Sequence, residues 1–132
     1  MTLAALWVFF GSALGGMARY LLSNAVARRI GETFPWGTLL VNVSGCFVIG
    51  ALAAVTADNG SIAGHLGARE FLAIGFCGGY TTFSSFSLQT LNLVRDGDWR
   101  RAGFNVTGSV VACFVATWCG FELVVILSEK MT

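Results

Sequence analysis

The stretch GFCGGYTTFSSFSLQT, residues 75–90, lies inside an otherwise apolar segment that runs from Phe71 to Val94. Two adjacent glycines, Gly78 and Gly79, are followed by the hydroxyl residues Tyr80, Thr81, Thr82, Ser84, Ser85 and Ser87, with Phe83 and Phe86 interleaved. A helix that only fills a core or spans lipid has no use for this pattern. Backbone buried in lipid must satisfy its own hydrogen bonds, and a break is tolerated only where the freed groups face protein or a water-filled cavity. The glycine pair followed by threonines predicts such a break. Phe71 to Gly78 is about seven residues at ~1.5 Å each, which sets the break near the bilayer middle. Broken helices at that depth build ion or substrate sites. The competing reading is a Gly/Ser kink whose hydroxyls bond back to the preceding turn.

The rest of the chain supports a membrane setting. Of 132 residues, 55% are hydrophobic and 11% charged, and the mean hydropathy is +0.73. Soluble domains carry about 25% charged residues, so these charges could not cover a soluble surface. The net charge of +1 is uninformative about nucleic acid, but the sequence has no basic cluster and no RNA- or DNA-binding motif, so no nucleic-acid partner is expected. At ~20 helical residues per crossing, four windows qualify: about 4–24, 36–57, 71–94 and 103–127. The second is opened by Pro35 and closed by the ADNG run at 57–60. The N-terminal stretch has no basic residue before its apolar run and reads as a retained first span rather than a leader. The expected fold is an all-α membrane protein of one domain, residues 1–132, with four transmembrane helices and the third broken at mid-membrane.

The charges sort into the loops. Arg28, Arg29 and Glu32 fall in the first, Arg69 and Glu70 beside the second, and Arg95, Asp96, Asp98, Arg100 and Arg101 in the third. Loops one and three together carry five basic residues against two for the opposite side, a bias that favours external termini. Gly11 and Gly15 form a GxxxG pair, and Gly45 and Gly50 lie in the second span. Such small residues let membrane helices approach closely. Cys46, Cys77, Cys113 and Cys119 lack metal-site spacing and read as small buried residues. The one histidine, His65, falls in a loop.

The polar residues inside the spans are uncharged. Asn42 is an amide at lipid depth, and such a group wants a partner or a pore. Asn105, Ser109, Cys113 and Thr117 recur every four residues and trace a stripe along one side of the fourth helix. That spacing fits interhelical hydrogen bonding as well as a pore lining. Phe83 and Phe86, three residues apart, can share a helical face, and an aromatic ring is electropositive at its edge. No acidic residue lies near the centre of any span, which argues against a proton-driven exporter. A lining of amides and hydroxyls suits a small anion at least as well as a cation. Arg19, late in the first span, adds positive potential near one mouth, or simply snorkels to the interface.

Three ordered motifs, GGMARYLLS, WGTLLVNVSGCFVIG and GFCGGYTTFSSFS, resemble those of the small fluoride channels of the Fluc (CrcB) family over essentially the full length. The resemblance implies a channel rather than an enzyme: an antiparallel, dual-topology dimer in the bacterial inner membrane that lets cytoplasmic fluoride escape passively. The partner is a second copy of the chain or a paired homologue. It implies two fluoride pores flanking a structural Na⁺ on the two-fold axis, held by backbone carbonyls of Gly78 and Thr81. It assigns the fluoride pathway to Asn42, Phe83, Ser84, Ser85, Phe86, Asn105 and Ser109, with Cys113 at a position where relatives often carry Thr, and a vestibule position to Arg19. Leu88-Gln89 stands where relatives commonly have Ala-Glu. Rival readings are a four-span multidrug exporter, which would need a first-span carboxylate, a dimerising helical scaffold, and a carbonyl-filter cation channel.

Overall fold

The structure, a computed structural model, describes residues 2–57 and 67–130. The chain runs through α1 (Thr2–Ile30), α2 (Trp36–Ala57), a π-helical segment (Glu70–Cys77), the single turn α3 (Gly78–Tyr80), α4 (Phe83–Arg95) and α5 (Trp99–Glu129). Asp58, Asn59 and Gly60, expected to close the second span, and His65 lie outside the described residues. Among the described residues three helices, over Leu3–Ile30, Trp36–Thr56 and Trp99–Glu129, are long and apolar enough to cross a membrane. The chain is thus an all-helical, multi-pass membrane protein. The expected 71–94 window is not one helix: Thr81 and Thr82 are extended between α3 and α4.

Several helices run past the windows read from hydropathy. Arg28 and Arg29, expected in a loop, form the last turn of α1, where cations meet the negative end of the helix dipole. Arg100 and Arg101 likewise fall in the first turn of α5. The turn that remains contains Gly97 at φ 80°, a left-handed conformation that glycine adopts without penalty. Asp98 caps α5 by accepting from the Arg101 N–H at 3.1 Å.

Glycines decide which helices touch. A Cβ on Gly50 would collide with the Thr117 carbonyl, and one on Gly120 with the Phe47 carbonyl. Phe34, just before α2, packs on Phe104 of α5, and further along both helices Gly50 meets Thr117, so α2 and α5 run parallel with their backbones in contact. Gly11, Gly15 and Gly79 do the same for α1 against the π-helical segment and α3. A Cβ on Gly11 would strike Phe71 O and sit 2.9 Å from Phe76 N, the two atoms an i→i+5 bond would join. The Ser12 hydroxyl donates to the Gly75 carbonyl across this contact at 3.3 Å.

The π geometry has a consequence for depth. It fits more residues into each turn than an α-helix does. Residues 70–77 therefore advance less along the axis than a count at ~1.5 Å per residue implies.

Few large side chains are sequestered: Val41 and Cys77 are fully buried, while Phe9, Leu21, Val111, Phe114 and Trp118 face outward. That distribution suits lipid or a partner chain as the surrounding medium. Cys77 fits the expectation of a small packed residue, but Cys119 is exposed.

Candidate functional site

The interruption is held open by two side chains, those of Asn42 and Thr82. The Asn42 amide donates from Nδ2 to the Thr82 carbonyl at 3.0 Å, and its Oδ1 accepts from the Thr82 N–H at 2.8 Å. It thus serves Thr82 as a neighbouring strand would, satisfying both backbone groups of an extended residue away from water. One N–H of the amide remains to be spent elsewhere. Thr82 also caps α4: its buried hydroxyl accepts from the Ser85 N–H at 3.2 Å and contacts the Ser84 and Ser85 hydroxyls at 3.2 Å each. A β-branched residue suits both tasks, because extended backbone favours it and its oxygen makes a good N-cap.

The glycine pair does not itself break the helix. Gly78 and Gly79 remain helical, and the extended residues are the threonines that follow. Gly79 is small because α1 lies against it at the Ser12 backbone; Gly78 is exposed, with no atom within 4 Å of where its Cβ would be. The break frees specific carbonyls. In a continuous α-helix the Thr82 N–H would bond Gly78 O, and the Ser85 N–H would bond Thr81 O. Here the first donor goes to Asn42 and the second to the Thr82 hydroxyl.

Beside the break lies a cavity of about 430 Å³ lined by α2, the threonine pair, α4 and α5. It gathers Asn42, Phe83, Phe86, Ser109 and Cys113 from the expected pathway, with Thr117 from the same stripe. Its described lining carries no formal charge. The Phe83 and Phe86 rings are tilted at 46° with centroids 5.7 Å apart, and Phe83 is 79% exposed. Cys46 and Ile49 complete the α2 side. The sequence reading missed both, although their i+4 and i+7 spacing from Asn42 marks one helical face.

Three expected pathway residues do not line this cavity. Ser84 and Ser85 are engaged with Thr82. Asn105 is 2% exposed and donates to the Thr90 hydroxyl at 2.8 Å, which donates in turn to the Phe86 carbonyl at 2.7 Å. Asn105 therefore ties α5 to α4 behind the rings.

A second cavity of about 660 Å³ opens on the side of the first and third loops, between residues such as Asn24, Glu32, Thr38, Gln89, Asp96 and Arg101. The buried Oε1 of Gln89 has no hydrogen-bond partner among the described residues. Arg19 is half-buried and lines neither cavity.

Comparison with known proteins bears on the same residues. Positions 6–121 match the family described as "CrcB-like protein, Camphor Resistance (CrcB)". A protein of Opitutus terrae named fluoride-specific ion channel FluC is 57% identical over 115 residues, covering 87% of each chain. One of the same name from Methylocella silvestris is 51% identical over 124 residues, covering 94% of this chain and 95% of its own. Another from Paramagnetospirillum magneticum is 49% identical over 122 residues, covering 92% and 95%. All three are named as channels, not enzymes. The matched region takes in every helix that builds the break and the uncharged cavity, and the chain belongs to the CrcB family.

Proposed function

We propose that this chain is a fluoride-selective channel that carries cytoplasmic fluoride passively out across the bacterial inner membrane. The observation that carries the reading is the uncharged cavity beside the helix break, where hydroxyls, an amide N–H and two aromatic rings converge. Fluoride holds its hydration water strongly, and a pore must replace that water with several donors at once. Asn42 and Ser109 offer donors, Phe83 and Phe86 offer ring edges, and no fixed charge lies in the described lining to trap the ion; the Thr117 hydroxyl is spent on the Cys113 carbonyl. The names of the relatives point to the same ion.

In this reading the π-helical segment, α3 and α4 together make a fourth crossing, interrupted at mid-membrane. Two copies, or one copy and a paired homologue, associate antiparallel in dual topology, with one pore on each side of the two-fold axis. The outward-facing Phe83 and the open space over Gly78 support a partner there. Ser84, Ser85 and Asn105 would then act by positioning the pathway, and Arg19 by its charge near a mouth.

The Na⁺ implied by the family fits the donor set. Gly78 O and Thr81 O are the carbonyls whose α-helical donors are diverted, and unwound backbone carbonyls suit a hard alkali cation. When bound, the ion would supply positive charge that neutralises converging carbonyl dipoles of both subunits. The chain's own part is to hold those carbonyls free, through the Asn42 clamp and the Thr82 cap.

Purified protein in liposomes loaded with KF or KCl tests the function. Valinomycin should release fluoride rapidly and chloride negligibly, read with ion-selective electrodes. Fluoride retention, or equal loss of both ions, overturns the reading.

A further inference from the structure

Two thiols meet in the uncharged cavity, and the fluoride pathway gives neither of them a necessary job. Cys46 on α2 and Cys113 on α5 both line it and neighbour one another. Their register explains why. Gly50 and Thr117 touch backbone to backbone, and each thiol lies four residues, about one turn, before one of that pair. Because the two helices run parallel, Cys46 and Cys113 fall at the same level, one turn before the close contact and facing the cavity.

We propose that Cys46 and Cys113 form a two-coordinate site for a soft, thiophilic cation, and that occupancy closes the cavity to the permeating anion. The chemistry selects the ion. Thiolates are soft ligands and favour soft metals. A divalent d¹⁰ ion such as Hg²⁺ accepts two sulfurs in line. Each thiol loses its proton to water, two S–Hg bonds form, and the 2+ charge is cancelled by two thiolates. The product is neutral, so it sits in a low-dielectric cavity without the cost of a buried charge. Zn²⁺ wants four ligands in a tetrahedron, and the remaining groups here are hydroxyls, an amide and hydrocarbon. The site therefore distinguishes the two metals.

The occupancy half of this proposal is independent of what the channel carries; the closure half rests on the fluoride reading. One equivalent of HgCl₂ added to the purified chain should give mercury with two sulfur neighbours by X-ray absorption. With excess HgCl₂, Cys77→Ala/Cys119→Ala, which removes the other two thiols, should bind one mercury per chain with the same two-sulfur coordination. Liposome fluoride efflux should fall at least tenfold at equimolar Hg²⁺, recover with excess dithiothreitol, and be unaffected by the same concentration of Zn²⁺. Cys46→Ala and Cys113→Thr, each compared with its own uninhibited flux, should need at least tenfold more Hg²⁺ for half-block. Single-sulfur coordination, or full sensitivity in both single variants, overturns the site. Two-sulfur occupancy with undiminished efflux overturns the closure. A chain without fluoride efflux refutes the channel reading alone, since the absorption measurement still decides the site.

Discussion

The parallel pair α2 and α5 and the interrupted run from Glu70 to Arg95 solve the same problem in opposite ways. Both must satisfy backbone groups without water. The pair does so internally: each helix is continuous, and Gly50 and Gly120 let the two backbones meet. The interrupted run satisfies its groups externally, by borrowing the Asn42 side chain from α2. One region is limited by space and the other by hydrogen-bond supply. Mutations that add volume should break the first, and mutations that remove a polar atom should break the second.

The largest effect is expected from volume. Gly50→Val puts branched carbon against the Thr117 carbonyl. Overpacking typically costs about 1–3 kcal/mol and occasionally more; with backbone as the obstacle we expect the upper end or loss of folded protein, read by unfolding in mixed micelles. Next comes Asn42→Leu, which strands the N–H and C=O of Thr82. At about 1–3 kcal/mol per unsatisfied buried group, the loss should be near 3 kcal/mol, with fluoride efflux abolished. Asn42→Asp keeps the acceptor and should recover part of that stability; equal loss in both variants would show that the clamp is not the cause. Thr82→Val retains the extended preference but removes the cap, for about 1 kcal/mol. The smallest effect on the single chain belongs to Gly78→Ala. Its site is open and helical, so chain stability should hold or rise by up to ~1 kcal/mol. Loss of efflux in that variant would then report on something outside the chain, which sharpens the contrast between the two regions.

Much of this was legible in the sequence. Hydropathy over ~20-residue windows locates α1, α2 and α5 because lipid demands long apolar runs. The GxxxG pair correctly marks a close helix contact. The stripe Ser109, Cys113 and Thr117 is read directly from four-residue spacing, since all three lie on one helix. What was not legible depended on partners distant in the chain. Gly78 and Gly79 look like the breakers, yet the extended residues are Thr81 and Thr82, because the group that stabilises them lies 40 positions earlier at Asn42. Asn105 belongs to the same stripe as Ser109 but is turned to Thr90 on α4, which spacing within one helix cannot reveal. The π-helical winding of residues 70–77 has no signature in hydropathy, and it makes a depth count along that segment too large.

The amide clamp also bears on biogenesis. Asn42 leaves the ribosome 40 residues ahead of Thr82, so the partner that makes an extended residue tolerable is already synthesised when residues 70–95 begin to emerge. An insertion intermediate that met lipid without α2 beside it would gain by winding residues 78–85 into ordinary helix, using the bonds the clamp diverts. Docking of α2 is therefore what makes the extended Thr82 the better choice over ordinary helix. A chain without that docking would still be helical, with the break closed.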